Sequence, residues 1–251
     1  MIKKIIYGML VSYMGLFSFL TPLAVADETT TIVLTATDRK ADPSGQSDAT
    51  LLMAYDETTG HIALTSVPQS LVIPILGHAE GTLTEAYSLG EGALVADSLA
   101  TWTGISIDHY LTLDMAGVEQ LIDEVGGITV SSLESFNQDG YQFKQDEAVT
   151  MDGAQALAYM RPLTQEGSSI TKQDRQVQVL QALGEKLSQE DLSAFGYIKM
   201  YQTYAGYIDS SLGKMEMVNL AKELMKSGRG VSYYELPKDA TADQLATFLQ
   251  P

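Results

Sequence analysis

The order of apolar patterns along the chain restricts the fold more than any other feature. Residues 31–37, 49–55 and 61–67 are runs of β-branched and apolar residues, which is typical of buried strands. Residues 108–113 alternate as a further strand, and residues 115–125 then carry apolar side chains at the spacing of one helix face. Strands that alternate with helices predict one α/β or mixed α+β domain, in which helices cover a central sheet.

Capping signals predict where two later helices begin. Asp152 is followed three residues later by Gln155, which is the spacing of a capping box. Thr171 is the predicted N-cap of a second helix, with Asp174 at its third helical position. The first of these helices is expected to end near Arg161, because the next residue is a proline.

Four further patterns complete the predicted order of elements. Residues 85–101 have a helical pattern, whereas residues 131–150 are polar and predict an irregular or hairpin-like segment. Residues 192–226 have a helical pattern that is interrupted at residues 209–211. Residues 231–236 are predicted to form a closing strand.

The amino terminus has the composition of an export signal. A pair of lysines precedes an uncharged apolar stretch that ends at Ala26, and the small residues there fit cleavage before Asp27. The stretch is also long enough for an uncleaved membrane anchor, which needs about 20 apolar residues. We therefore divide the chain into a signal peptide or membrane anchor at residues 1–26 and a single domain at residues 27–251.

Composition and charge exclude several classes of function. The chain has no cysteine, so it has no disulfide, zinc–thiolate site or catalytic thiol. Its net charge of −17 becomes −19 if the two lysines of residues 1–26 are removed, and nucleic acid as a partner would require a basic surface instead. The three histidines lack metal-ligand spacing, and no Gly-rich phosphate loop is present.

Two aspartates lie where neighbouring strands are predicted to meet. Asp38 ends the first strand, at the kind of strand end where open α/β sheets bind ligands, and Asp48 precedes the next strand. Two such carboxylates can hold a hard divalent cation together with water and substrate phosphates. The alternative, which spacing alone favours, is that both are ordinary turn and cap residues.

The helix that begins at Thr171 has basic and polar residues in its first turns. Lys172, Arg175 and Gln176 lie at i, i+3 and i+4 and therefore share one face. Cations are unfavourable beside the positive helix N-terminus, so an anionic partner such as a phosphate would explain them. An ordinary solvated basic face is the alternative.

An ordered series of motifs resembles the LytR-CpsA-Psr family of cell-envelope proteins. The series covers about residues 31–237 and includes TIVLTATD, SDATLLMAYDETTGHIALTSVP, GISIDHYLTLDMAGVEQLIDEVGGITV, DGAQALAYMR and KQDRQVQVLQAL. The resemblance implies an αβα sandwich with a central mixed sheet and a deep apolar pocket for a polyprenyl lipid. It also implies a magnesium-dependent phosphotransferase, which moves a glycopolymer such as wall teichoic acid or capsule from a polyprenyl-pyrophosphate carrier to peptidoglycan.

The resemblance also implies roles for residues at matching positions. Asp38 and Asp48 match aspartates that bind metal and pyrophosphate. Arg161 matches an arginine of the pocket, and Arg175 with Gln176 matches an arginine–glutamine pair. The implied catalytic residues are Asp38, Arg161 and Arg175, and the implied substrate-binding residues are Arg161, Lys172, Arg175, Gln176, Gln46 and Gln69.

Several basic positions of the family are substituted in this chain. Lys172 stands where the family has arginine, so it keeps the charge but lacks the bidentate fork. Uncharged residues stand at four further positions where the family commonly has a basic residue: Gln46, Gln69, Thr82 and Leu163. We therefore expect weakened pyrophosphate binding, with Arg39 and Lys40 as candidates for partial replacement.

Two functions of different classes follow from these observations. A transferase at the extracellular face of the cell membrane or in the cell wall agrees with the export signal and with the retained aspartates. A non-catalytic protein of the same fold, which binds a polyprenyl lipid or regulates envelope assembly, agrees with the lost basic residues. The expected partners are a polyprenyl-pyrophosphate-linked glycopolymer, peptidoglycan and the membrane, with Mg²⁺ as the cofactor and without nucleic acid.

Overall fold

A mixed sheet of six strands forms the centre of the protein. The computed structural model describes residues 29–38, 46–161, 170–189, 194–224 and 231–248. The strands of the sheet are β1 Thr29–Thr37, β2 Ser47–Asp56, β3 Ile62–Val67, β6 His109–Asp114, β11 Ile208–Ser210 and β12 Val231–Glu235. They lie in the order β11-β6-β1-β2-β3-β12. β1 is parallel to β6 and β3 is parallel to β12, whereas the other neighbours are antiparallel.

The pairing of β1 with β2 contains one irregularity at the end of the sheet. The register is regular up to Ala36 opposite Ala49, and the next pair is Thr37 opposite Ser47. Asp48 is therefore an extra residue of β2. Such a β-bulge leaves the extra residue outside the regular ladder and changes the direction of its side chain.

Helices cover both faces of this sheet. They are α1 Leu83–Thr103, α2 Met115–Glu124, α3 Gly153–Met160, α4 Lys172–Gln189, α5 Ala194–Tyr204, α6 Lys214–Leu224 and α7 Ala242–Phe248. Val33 and Leu52 pack on the side of α1 and α7, whereas their strand neighbours Ile32 and Met53 pack on the opposite side, with α6. This is an αβα sandwich around a mixed sheet, so the predicted fold class is confirmed.

Helix α1 is not the continuous helix that its pattern predicted. Gly90 and Glu91 have non-helical dihedral angles, and Glu91 has a φ of 54°. After this break the helix passes so close to β6 that a Cβ atom on Gly92 would lie 2.7 Å from Thr112 Oγ1. Glycine is therefore required at this crossing.

The polar segment 131–150 folds into two small ribbons beside the sheet. Their strands are β7 Ile128–Ser131, β8 Phe136–Gln138, β9 Tyr141–Phe143 and β10 Ala148–Met151. β8 and β9 form a hairpin whose base is fixed by aromatic packing, since the rings of Phe136 and Phe143 are 4.7 Å apart and both contact Tyr159. The hairpin-like prediction for this segment is confirmed.

Three short strands were not predicted. The interruption expected at residues 209–211 is the edge strand β11, and β4 Val72–Pro74 with β5 Glu80–Thr82 forms another ribbon. No helix in the ranges that the structure describes is long and apolar enough to cross a bilayer. The predicted export segment, residues 1–26, lies outside those ranges, as does its cleavage point.

Candidate functional site

Asp38 and Asp48 lie at the same end of the sheet, as their sequence positions predicted. Asp38 directly follows β1, and its side chain is only 9% exposed. Asp48 is the bulge residue of the neighbouring strand β2, and its side chain is 39% exposed. The bulge thus places a half-exposed carboxylate at the same end of the sheet as a buried one.

Arg161 links Asp38 to a second acidic residue. It caps the C-terminus of α3, with Nη2 3.4 Å from Asp38 Oδ2 and Nη1 2.6 Å from Asp139 Oδ2. The hydrogen bond to Asp139 is the main cause that raises the pKa of Arg161, and Asp38 adds to it while burial opposes it. Arg161 is therefore a fully charged group between two carboxylates.

Lys172 contacts Asp48 from the beginning of α4. Its Nζ lies 3.0 Å from Asp48 Oδ1 and 3.1 Å from the backbone oxygen of Asp48. Thr171 accepts from the backbone of Asp174 at 3.1 Å, as expected of the predicted N-cap, and its own backbone N–H donates to the Asp174 side chain at 2.8 Å. Asp48 already pairs with Lys172, and Asp174 places a favourable negative charge in the first turn of the helix, so the charge of Lys172 is explained without a bound anion.

Arg175 points into the protein. Its side chain is 2% exposed, and Nη1 lies 3.4 Å from Glu134 Oε1. Its other bonds go to backbone oxygens: Nε to Tyr159 at 2.8 Å, Nη1 to Ile170 at 3.3 Å and Nη2 to Arg161 at 3.0 Å. Burial is the main cause that lowers the pKa of Arg175, and Glu134 opposes it. The resemblance implied a catalytic and substrate-binding role for Arg175, whereas its donors here hold the chain around Arg161.

The three glutamines proposed for substrate binding differ in their surroundings. Gln46 is exposed, whereas Gln176 is buried. Gln69 is part of a hydrogen-bonded network, in which its Oε1 accepts from Ser47 Oγ at 2.8 Å and its Nε2 donates to Thr50 Oγ1 at 2.9 Å. Gln69 therefore connects β2 to the segment after β3, and of the three only Gln46 has an exposed side chain.

The other substituted positions give a mixed result. Thr82 is the N-cap of α1 and forms a capping box with Glu85, so it has a structural role in this chain. Leu163, Arg39 and Lys40 lie outside the described residues.

Sequence reasoning missed two acidic residues of this site, Asp139 and Glu134. Both belong to the segment whose polarity predicted only an irregular or hairpin-like structure. Asp139 and the following Gly140 have positive φ angles of 51° and 85° at the tip of the β8–β9 hairpin. An Asp-Gly pair is a strong signal for such a turn. It does not reveal that the turn reaches Arg161.

Among the described residues at this end of the sheet, every basic side chain of the site has an acidic partner. Each of Arg161, Lys172 and Arg175 has a carboxylate oxygen within 3.4 Å. Within the described ranges, no group of three histidine, aspartate or glutamate side chains could hold a metal ion. Asp38 and Asp48 nevertheless provide the donor chemistry of Mg²⁺, which proteins often bind through one or two carboxylates together with substrate phosphates.

An apolar cavity opens near the same end of the sheet. It has a volume of about 190 Å³ and lies between α2, α4, α5, α6 and the end of β6. Of the described residues that line it, only Asp114 is charged. Asp114 pairs with Thr37, the residue before Asp38, so the cavity and the carboxylates are close along the sheet. The structure thus has the apolar pocket that the resemblance implied.

A tyrosine of the cavity wall connects two of its helices. Tyr204 on α5 donates a short hydrogen bond to Glu124 on α2. Burial and this bond raise the pKa of the Tyr204 phenol well above its ordinary value. The contact fixes α5 across the cavity.

Relatives with similar sequences are transferases by name. A polyisoprenyl-teichoic acid–peptidoglycan teichoic acid transferase TagU from Halalkalibacterium halodurans is 30% identical over 161 residues, covering 63% of this chain and 53% of the relative. The TagU protein of Oceanobacillus iheyensis is 30% identical over 203 residues, covering 78% of this chain and 60% of the relative. The chain therefore spans less than two thirds of the length of either relative.

Solved structures and a family model agree with this similarity. TagV of Bacillus subtilis has a TM-score of 0.70 at 20% identity, covering 89% of this chain and 98% of that one. The family protein YwtF (TagT), with bound octaprenyl pyrophosphate lipid, has a TM-score of 0.62 at 20% identity, covering 83% and 78%. These two likenesses establish the fold. The model of the LytR_cpsA_psr family matches residues 18–250, and this chain therefore belongs to the LytR-CpsA-Psr family.

Proposed function

We propose that this protein transfers a glycopolymer from a polyprenyl-pyrophosphate carrier to peptidoglycan. Membership of the family and the names of the TagU relatives support this substrate class. The observation that carries the proposal is the position of the apolar cavity, which opens beside the charged end of the sheet. A prenyl pyrophosphate has the same two parts, an apolar chain and a charged headgroup.

The size of the cavity limits how much of the lipid it holds as it stands. An engineered protein cavity of about 150 Å³ admits one benzene molecule. The cavity here, at about 190 Å³, therefore has room for one short apolar segment. A full polyprenyl chain requires that α5 and α6 move apart or that most of the chain lies outside the protein.

The charged residues would bind and orient the headgroup. In the proposed reaction a peptidoglycan hydroxyl attacks the phosphorus that carries the glycan, and the bond from that phosphorus to the bridging oxygen breaks. The electron pair leaves with the prenyl phosphate, and the hydroxyl proton goes to a base, for which Asp38 is the candidate. Arg161 and Lys172 would offset the charge of the phosphate oxygens. Asp38 and Asp48 would hold Mg²⁺, which supplies further neutralisation of phosphate charge when bound.

We further propose that the domain works at the outer face of the cell membrane or in the cell wall. The apolar segment that ends at Ala26 supports export, and a carrier lipid would lie in the membrane. Protease added to wall-stripped cells should then digest the domain, and full protection would refute this location.

A second function, binding without catalysis, is favoured because the basic side chains of the site are paired with carboxylates. Arg161 and Lys172 each contact carboxylates, and Gln69 is engaged inside the fold instead of facing a phosphate. A protein with the same cavity could bind a prenyl lipid and act on envelope assembly through a partner.

A transfer assay separates the two functions. Purified protein is mixed with a prenyl-pyrophosphate-linked teichoic acid precursor, peptidoglycan and Mg²⁺, and the polymer bound to peptidoglycan is measured. Asp48→Ala should lower the transfer at least tenfold, because a charge-assisted contact contributes about 1.5–3 kcal/mol. Asp97→Ala, which removes an exposed carboxylate of α1, is the matched control and should retain the activity.

Binding of farnesyl pyrophosphate gives the second measurement. Ala221→Phe places a larger side chain in the cavity wall and should weaken binding of this lipid while leaving inorganic pyrophosphate unaffected. Lipid binding without any transfer by the wild type would support the binding function. If the wild type binds neither ligand, both functions are refuted.

A further inference from the structure

The tip of the β8–β9 hairpin places a carboxylate directly on an arginine of the candidate site. Asp139 Oδ2 lies 2.6 Å from Arg161 Nη1, whereas Asp38 Oδ2 lies 3.4 Å from Nη2 of the same side chain. Asp139 is thus the nearer of the two acidic partners. It comes from a segment 22 residues earlier in the chain.

The hairpin is built to hold Asp139 in this position. Its base is fixed by the stacked rings of Phe136 and Phe143, and its tip turns at Asp139 and Gly140, both with positive φ. Gln138 Nε2 donates to Asp139 Oδ1 at 3.3 Å, which leaves Oδ2 directed at Arg161.

The contact has little value for stability. Both side chains are more than a third exposed, Arg161 at 37% and Asp139 at 38%. Ion pairs of such exposure contribute only about 0–1 kcal/mol to folding, since both partners keep much of their hydration. A structural role alone therefore explains little of this geometry.

The contact has a larger effect on the binding of anions. An arginine binds a phosphate best with two parallel N–H donors, and here one donor faces Asp139 and another faces Asp38. A phosphate that approaches Arg161 must displace Asp139 or lie beside its negative charge. Asp38 is buried at the end of β1, whereas Asp139 is on an exposed turn and can be displaced more easily.

We propose that Asp139 competes with the anionic headgroup for Arg161 and so sets a minimum binding energy that a ligand must supply at this site. The proposal rests on the proposed function of this site. Asp139 lowers the affinity for every phosphate ligand, so that only a ligand with additional binding energy from its apolar chain displaces it. Free pyrophosphate is then rejected and a prenyl pyrophosphate is accepted.

The test measures ligand affinity by calorimetry at low ionic strength, because salt screens half-exposed charges. Asp139→Asn removes the charge and keeps the shape, and asparagine tolerates a positive φ. Asp146→Asn is the matched control, since Asp146 also has a positive φ of 60° and is exposed. Asp139→Gly, which also fits the turn, provides a second variant. The probes are inorganic pyrophosphate and farnesyl pyrophosphate.

We expect Asp139→Asn and Asp139→Gly to bind inorganic pyrophosphate about tenfold more tightly than the wild type, from the removal of one nearby like charge. Asp146→Asn should bind like the wild type. The increase in pyrophosphate affinity should be smaller when Arg161→Gln is also present, because the arginine for which Asp139 competes is then absent.

Five results would overturn the proposal. Weaker binding by both Asp139 variants would show that Asp139 only orients Arg161. If Asp146→Asn raises pyrophosphate affinity as much as Asp139→Asn does, the effect is one of general charge. The same holds if Asp139→Asn raises the affinity by the full amount when Arg161→Gln is also present. If the wild type binds farnesyl pyrophosphate and Asp139→Asn gains nothing, the role of Asp139 is refuted while the proposed function stands. If neither the wild type nor the Asp139 variants bind either ligand, both are refuted.

Discussion

Replacement of Arg175 by alanine should destabilise the protein without removing a direct ligand contact. The guanidinium is 2% exposed and donates to the backbone oxygens of Tyr159, Ile170 and Arg161, and to Glu134. Alanine removes all of these bonds at once. It also leaves the 21%-exposed carboxylate of Glu134 without its arginine.

The magnitude follows from the burial of this ion pair. Removing one partner of a buried, hydrogen-bonded pair costs about 3–5 kcal/mol, because the other charge stays in poor solvent. A domain of this kind has a free energy of unfolding of about 5–15 kcal/mol, so the loss is a large fraction of it. In urea, where the free energy of unfolding falls by about 1–3 kcal/mol per molar, the midpoint should fall by at least about 1 M.

Arg161→Ala is the matched control for this experiment. Arg161 is 37% exposed, so its loss should cost at most about 1 kcal/mol of stability while it weakens pyrophosphate binding. Urea unfolding, followed by circular dichroism, gives the stability of both variants, and calorimetry gives their affinity. Arg175→Lys keeps the charge but not the fork of donors, and its stability should be intermediate.

The opposite pattern would refute this reasoning. If Arg175→Ala unfolds at the wild-type urea concentration but no longer binds pyrophosphate, Arg175 contacts the headgroup directly. The residue would then have the substrate-binding role that the family resemblance implied.

Two other changes test neighbouring parts of the structure. Gln46→Arg should raise pyrophosphate affinity several-fold at an unchanged melting temperature, because Gln46 is exposed. Gln69→Arg should instead lower the melting temperature, because it breaks the hydrogen bonds to Ser47 and Thr50. If calorimetry and thermal unfolding give the same result for both variants, the two glutamines do not differ in their surroundings as described. Tyr204→Phe tests the contact to Glu124. Folding raises the pKa of Tyr204 above the unfolded value of about 10. The contact therefore stabilises the protein fully below about pH 10, and this stabilisation is lost as the pH rises further. The difference in melting temperature between the wild type and Tyr204→Phe should therefore narrow above about pH 10, and a difference that stays constant, or an equal narrowing in Tyr201→Phe, would disprove this assignment.

The sequence predicted those parts of the fold that depend on local or periodic signals. The N-cap at Thr171, the three apolar strands and the position of Asp38 at a strand end all follow from neighbouring residues. The edge strand β11 was missed because its three residues carry no apolar alternation, and only its pairing with β6 makes it a strand.

The sequence did not predict which acidic residues pair with the arginines of the site. Arg175 reaches Glu134 across 41 positions and Arg161 reaches Asp139 across 22 positions. The spacing of Lys172 and Arg175 correctly predicted that both lie at the beginning of α4. The spacing did not show that the side chain of Arg175 turns inward to the backbone around Arg161, because that direction depends on elements distant in the chain.

The bulge at Asp48 has a consequence for the way this gene can change. Deletion of the single codon for residue 48 would let Ser47 continue the ladder opposite Thr37 without an extra residue. Such a shortened protein would gain a regular strand pair and lose the carboxylate and backbone oxygen that Lys172 contacts. The extra residue therefore adds no pair to the β1–β2 ladder, and its contribution is the two oxygen atoms that it presents to Lys172.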